Sequence, residues 1–283
     1  MIKYIYPLLP ALKTYPFFRI AGNGLANCMF VAARAYIKSK RRNLEFIEPT
    51  WFNISAGPYI RRQADKRHYL GLFKNYGRNW GLRKLFILLF KRKEVLVESG
   101  LGKYFEDILN DSADAAEYFN SIFRSNILRE IENFDFSGAV AVHVRLGDYS
   151  KERRVPIEWY VQAIRAVSKI RPDSRFLLFS DGKDGELSEL TKLGNVKRVF
   201  FGNAIADIVA ISKTKLLIGS DSTFSAWGAY LGQVPVIMNR CHFGRILADP
   251  GMELVSGEIN EQEIEAFLSR QQQFTCKTGQ NLV

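Results

Sequence analysis

The sequence predicts an α/β fold whose C-terminal half is a doubly wound parallel sheet. Two observations carry this. Strand-like and helix-like segments alternate regularly beyond residue 138, and three of the strands end in polar groups. The alternation starts at residues 139–149, AVAVHVRLGDY. There Val140, Val142 and Val144 alternate with Ala139, Ala141, His143 and Arg145, the period of two of a β-strand, and mixing valine with small residues suits a strand covered on both faces. His143 and Arg145 lie two apart and so share one side. Gly147 permits a sharp exit, with Asp148 and Tyr149 at the mouth. Ligands of open parallel sheets bind beyond the carboxyl ends of the strands. A guanidinium delivered there can give a phosphate two parallel charge-assisted hydrogen bonds. The alternative is that Arg145 simply pairs with Asp148.

From the start of the chain, residues 17–21 read as a short strand running into Gly22-Asn23-Gly24. Residues 25–40 place Leu25, Met29, Ala32 and Tyr36 at three- and four-residue steps. They close on Lys38, Lys40, Arg41 and Arg42, the sign favoured at a helix C-terminus. Residues 44–47 are the next strand. Strand, glycine turn, helix, strand opens a nucleotide-type unit, in which the glycines let a ligand approach helix N–H groups. The turn has neither the Lys-Ser/Thr of a phosphate loop nor the full dinucleotide pattern, so a purely structural turn competes with that reading. The apolar run 85–90 lies between Arg83-Lys84 and Lys91-Arg92-Lys93. It reads as a buried strand or helix turn, or as an interfacial segment, and is too short to span a bilayer. Residues 104–136 are expected to be helical, with Phe119, Ile122, Phe123, Ile127 and Ile131 on one face. The domain break is expected at Phe136-Ser137-Gly138, giving domains 1–137 and 138–283.

After the organising strand come a helix over 156–170 opened by Pro156, a strand over 175–179 ending in Ser180-Asp181-Gly182, and a helix over 186–192. A strand over 196–200, a short helix from Asp207 to 213, a strand over 216–219 and a helix from Thr223 follow. The series ends with a strand over 234–238 and a helix over 261–272. The segment 220–225 opens its helix with hydroxyls and N–H groups, which is an anion site or an ordinary N-cap. Asp181 can accept two N–H bonds, as from a guanine edge or a ribose diol, or be a turn residue. With Arg145 these parts describe a nucleotide-diphosphate site without a metal; no Asp-x-Asp clamp occurs in the sequence.

The 283 residues are 47% hydrophobic and 24% charged, ordinary for a globular protein. The net charge of +11 is uneven: residues 1–103 hold 20 Lys and Arg against 5 Asp and Glu, +15, and the remainder nets −4. The basic half is expected to face a membrane surface or nucleic acid, or simply to be solvated. Its charges come as scattered pairs without a recognition motif, which weighs against nucleic acid. Three cysteines and three histidines without metal or redox spacing argue against a disulfide framework or a zinc site. The start, with two prolines and no clear cleavage site, is not read as a signal peptide, so a reducing, cytoplasmic setting is expected. A dinucleotide-dependent oxidoreductase built on the first glycine turn is a further class.

Four segments in register resemble glycosyltransferase family 11, the α-1,2-fucosyltransferases. Residues 22–30 are similar to its Gly-Gly-Leu-Gly-Asn-Gln-Met-Phe opening, and residues 143–149 to its His-x-Arg-Arg-Gly-Asp-Tyr. Phe179-Ser180-Asp181 matches a Phe-Ser-Asp strand end, and residues 221–227 resemble Asn-Ser-Ser/Thr-Phe/Tyr-Ser-Trp-Trp. Tyr104-Phe105 is similar to a Tyr-Phe of the family's middle segment. The resemblance implies a GT-B fold of two Rossmann-like domains, the first on the acceptor side and the second binding the nucleotide sugar. It implies a GDP-fucose donor, inversion, and no cofactor or essential metal. Donor contacts would come from Gly22, Asn23, Gly24, Asn27, His143, Arg145, Ser180, Asp181, Ser222, Thr223, Phe224 and Ser225. Arg145 would hold the pyrophosphate and Asp181 would read guanine. Asp148 or Glu158 would take the acceptor proton. The acceptor would be galactose O2 of an oligosaccharide or lipid-linked glycan such as an O-antigen precursor, with the basic half against the anionic inner membrane face. Four positions depart from the family: Leu146 for the second arginine, Gly182 for a second Asp, Asp221 for Asn and Ala226 for the first Trp. Another donor or linkage on the same fold, or a basic nucleic-acid-binding protein, is the alternative.

Overall fold

A computed structural model describes residues 1–60, 66–147 and 150–278. The chain forms two compact units, Met1–Glu132 with Gly202–Ala206, and Asn133–Phe201 with Asp207–Val283.

The first unit holds strands β1 (Tyr4–Pro7), β2 (Lys13–Thr14), β3 (Arg19–Ile20), β4 (Glu45–Phe46), β5 (Asn53–Ile54) and β6 (Val95–Glu98). β1 lies between β4 and β6, parallel to both. The strand that feeds the glycine turn is therefore not the partner of β4. β3 belongs instead to a small separate sheet with β2 and β5. The true partner is hidden in the sequence by Pro7 and Pro10, which interrupt an apolar start. Pro7 is the last residue of β1, where the chain is about to leave the ladder. Helix Leu25–Arg42 follows, with Met29, Phe30, Ala33 and Ile37 buried, three basic residues in its last turn, and Asn43 in the left-handed conformation as C-cap. The apolar run 85–90 is the end of helix Gly81–Phe90. Residues 104–136 are not one helix. Helix Ser112–Ile122 stops because the chain turns to pair with an earlier segment: Lys74 N bonds Ile122 O at 2.7 Å and Arg124 N bonds Leu72 O at 3.2 Å.

The second unit is built on one six-stranded sheet of β7 (Ala139–Val144), β8 (Arg175–Ser180), β9 (Val196–Arg198), β10 (Leu216–Gly219), β11 (Val236–Met238) and β12 (Glu253–Val255). Its order is β12-β11-β10-β7-β8-β9 and every pairing is parallel. β12, a short edge strand, has no counterpart among the strands expected from the sequence. β7 is central and buried along its whole length, as its valine and alanine content requires. Val140, Val142 and Val144 pack with Ile164 of helix Ile157–Ile170 and with Phe176, Leu178, Leu216 and Ile218 of the flanking strands. The register opposes His143 to both Phe179 and Gly219, and Val144 to Ser180. The ends of β7, β8 and β10 thus finish level.

Helix Thr223–Gly232 leaves the end of β10 and is held close to the preceding helix by glycine. A Cβ on Gly228 would lie 2.5 Å from Ile211 Cγ2, and one on Gly232 would lie 2.0 Å from Ser212 O. That close approach fixes where the N-terminus of this helix stands.

Candidate functional site

Level strand ends bring Arg145, Asp181 and Ser220 to one edge of the sheet. Asp181 is the hub. Its Oδ1 accepts the Leu146 backbone N–H at 2.8 Å, and its Oδ2 meets Arg145 Nη1 at 2.9 Å. Arg145 thus pairs with Asp181; Asp148, which the sequence offered as an alternative partner, lies with Tyr149 outside the described residues. A carboxylate so engaged orients the guanidinium, and its observed partners favour that role over reading a base. Gly147 is required by the same contact, since a Cβ there would lie 2.5 Å from Asp181 Oδ2. Ser180 also works within the edge: its Oγ donates to Val144 O at 2.7 Å and accepts the Gly182 N–H at 3.0 Å.

Two of the departures from the family pattern meet here. Leu146 is buried, and a Cβ on Gly182 would lie 2.6 Å from Leu146 Cδ1. An acidic side chain at 182 would collide with this leucine, so the two exchanges go together.

His143 is 4% exposed, shares a 3.1 Å hydrogen bond between its Nδ1 and Ser220 Oγ, and stacks on Phe224 with ring centroids 5.4 Å apart. Burial pushes its pKa down to about 4; Arg145 adds to this and Asp181 opposes it. The ring is therefore neutral at physiological pH. It links β7 to β10 and to the helix that follows.

That helix starts with Ser222 as N-cap, its Oγ accepting the Phe224 N–H at 3.4 Å. Thr223 and Phe224 are partly exposed, whereas Ser225 is buried and its hydroxyl donates to Ser222 O at 3.3 Å. Asp221, the third departure, is satisfied by a residue the sequence reading passed over: its Oδ1 accepts both the His242 backbone N–H at 2.9 Å and the His242 Nδ1 at 2.6 Å. The only sequence signal for this pair was the unexpected carboxylate at 221. Glu158 sits exposed in the first turn of helix Ile157–Ile170. It accepts a hydrogen bond from Gln162 at 3.4 Å, and among the described residues it bonds none of those at the strand ends.

In the first unit the glycine turn has a packing reason. Gly22 N donates to Asn53 Oδ1 at 2.8 Å, and a Cβ on Gly22 would lie 2.6 Å from both that oxygen and Arg19 Nη1. Arg19 is fully buried, with Nε on Thr50 O at 2.7 Å and Nη1 on Pro10 O at 3.0 Å. Gly24, by contrast, faces open space at the N-cap of helix Leu25–Arg42, with Asn23 exposed beside it and Asn27 half-buried in the first turn.

The depressed pKa of His143 has a pH signature. Between about 6.5 and about 4 the unfolded imidazole takes up a proton that the folded one refuses, so stability falls as pH drops through that window and levels off below it. Thermal melts from pH 7 to 4 should show His143→Asn losing less stability than the wild type. Parallel curves would contradict a buried neutral ring.

By sequence the chain matches no protein-family model and no curated protein. By structure it is similar to a NodZ α-1,6-fucosyltransferase soaked with GDP-fucose, with a TM-score of 0.52 and 14% identity over 83% of this chain and 94% of that one. It is also similar to the fucosyltransferase NodZ from Bradyrhizobium, at a TM-score of 0.50, 14% identity and the same coverage of 83% and 94%. A point mutant of Arabidopsis thaliana FUT1 in complex with GDP matches at a TM-score of 0.51 and 12% identity, over 85% of this chain and 71% of that one. What is shared at these identities is the fold: α/β, with the two Rossmann-like units of the GT-B glycosyltransferase architecture.

Proposed function

We propose that the protein is an inverting glycosyltransferase that moves L-fucose from GDP-fucose to a sugar hydroxyl. The observation that carries this reading is the pair of Arg145 with Asp181 beside the Thr223–Gly232 helix N-terminus, at the carboxyl edge of a parallel sheet. The fold is shared with fucosyltransferases, one of them soaked with GDP-fucose and another in complex with GDP. Arg145 binds the donor diphosphate through its fork, and Asp181 sets the direction of that fork. The N–H groups of the helix start add partial positive charge. Both strengthen as the sugar–phosphate bond breaks and negative charge gathers on departing GDP. One such donor is worth roughly 3–4 kcal/mol in the transition state. His143, held neutral, adds no competing cation beside Arg145.

The acceptor hydroxyl must lose its proton as it attacks the anomeric carbon. Asp148 and Glu158 are the bases the sequence offers. The Asp221/His242 pair is a third, and its geometry favours it: a carboxylate on Nδ1 fixes the tautomer whose lone pair is on Nε2, as a general base requires. We assign the linkage as α-1,2 on galactose O2 of an oligosaccharide or lipid-linked glycan, on the strength of the four motifs. One of the fold neighbours is an α-1,6 enzyme, and linkage analysis of the product separates the two.

Titrations of GDP, UDP and inorganic pyrophosphate in the presence of chelator test the site. GDP should stabilise the protein without a divalent ion. Arg145→Lys should keep charge but lose the fork, lowering kcat by about 100-fold or more. Asp181→Asn should weaken all three ligands by similar factors, because it acts through Arg145. Full activity in Arg145→Lys would sink the assignment, and a loss confined to GDP would make Asp181 a base reader after all.

For the proton, His242→Asn should lower kcat about 100-fold or more while GDP affinity is kept. Unchanged kcat would return the role to Asp148 or Glu158.

A further inference from the structure

Helix Gly81–Phe90, GLRKLFILLF, is apolar on both sides, yet only one side is buried. Its inner face is anchored by Ile87, 2% exposed, against Tyr4, Tyr6 and Ile47, and by Lys84, 3% exposed, whose Nζ donates to Thr50 Oγ1 at 2.8 Å and lies 5.2 Å over the Tyr6 ring. A lysine held this way fixes the rotation of the helix about its axis. The outer face then carries Leu82, Phe86, Leu89 and Phe90, exposed by 80%, 51%, 61% and 75%. Their spacing puts them on one stripe, and the Phe86 and Phe90 rings sit 5.2 Å apart. Isolated exposed hydrophobics are ordinary, but four large ones in a stripe mark a surface with a partner.

The charges beside the stripe say which partner. Lys91, Arg92 and Lys93 follow directly at the helix C-terminus. Arg92 and Lys93 are exposed and pair with no carboxylate among the described residues, while neighbouring Glu94 is engaged by Lys3. Arg83, at the other end, is half-exposed and only loosely matched to Glu45 at 3.6 Å. A two-fold pairing of this face with a second copy would bring basic ends against basic ends. Nucleic acid would use the charges and leave the apolar stripe wet. A helix lying flat, with apolar residues toward acyl chains and cations toward lipid phosphates, satisfies both features. No helix among the described residues is long and apolar enough to cross a membrane, so contact is at the surface. We propose that the outer face of helix Gly81–Phe90, with Lys91, Arg92 and Lys93, docks the first unit onto an anionic lipid bilayer. The proposal stands apart from the transfer reaction and does not depend on it.

Flotation with phosphatidylcholine vesicles, with and without phosphatidylglycerol, tests it at low and high salt. The full-length protein should float with the anionic vesicles at low salt, stay off the neutral ones, and release as salt rises. Replacing Lys91, Arg92 and Lys93 with Ser should weaken partitioning about 100-fold. Phe86→Ser combined with Phe90→Ser should weaken it about tenfold or more with the charges intact. Leu89→Glu serves as an independent variant of the same stripe, and the melting temperature of each variant checks its fold. Three results would overturn the proposal. One is wild-type protein that ignores anionic vesicles at low salt. Another is stripe variants that bind as well as wild type. The third is a concentration-dependent dimer that the stripe variants dissociate while vesicles are ignored, which would give the face to a second copy.

Discussion

The carboxylate of Asp181 ties the end of β8 to the exit of β7, taking the Leu146 N–H with one oxygen and the Arg145 guanidinium with the other. Much of the edge follows from that one group. A side chain at Gly147 would push against the carboxylate as it stands, and one at Gly182 would push against Leu146, which folds over it. Arg145 is left with its direction set before any ligand arrives. Preorganisation of this kind is what lets a charged donor act on a transition state without reorganising when the bond breaks.

A second layer locks the next strand in. The hydrogen bond of His143 with Ser220 and its stacking on Phe224 connect β7 to β10 and to the first turn of the following helix. Close glycine packing at Gly228 and Gly232 keeps that helix from drifting. The electrostatics are consistent across the layer. A protonated imidazole beside Arg145 would stack cation on cation in a buried place, and burial together with Arg145 keeps the ring neutral. The carboxylate of Asp221, which on its own would repel a diphosphate, is bonded by the ring and backbone of His242.

The second unit was largely legible in the sequence because its strands are short, apolar, and end abruptly in polar residues. β7, β8 and β10 and the polar residues at their ends could be read from period and punctuation alone. Pairing could not. That Arg145 meets Asp181 depends on the register that sets Val144 against Ser180, between strands far apart in sequence, and no local pattern shows it. The partnership of Asp221 and His242 spans 21 residues and has no local signature at all. In the first unit, Pro7 and Pro10 disguised the central strand β1, and the packing of Gly22 against Arg19 and Asn53 has no signature in the local pattern of the glycine turn. The run of apolar residues at 85–90 shows the limit of periodicity. A helix that is apolar all round does not reveal which side is buried until Lys84 and Ile87 are seen to be inside.

Donor binding of the kind proposed requires Asp181 to present Arg145 to a nucleotide diphosphate. A crystal structure with GDP examines this directly. It should show diphosphate oxygens within hydrogen-bonding distance of the Arg145 guanidinium and of backbone N–H groups at the start of helix Thr223–Gly232, with Asp181 still on Leu146 N. GDP bound elsewhere, with Arg145 turned away from the phosphates, would contradict it.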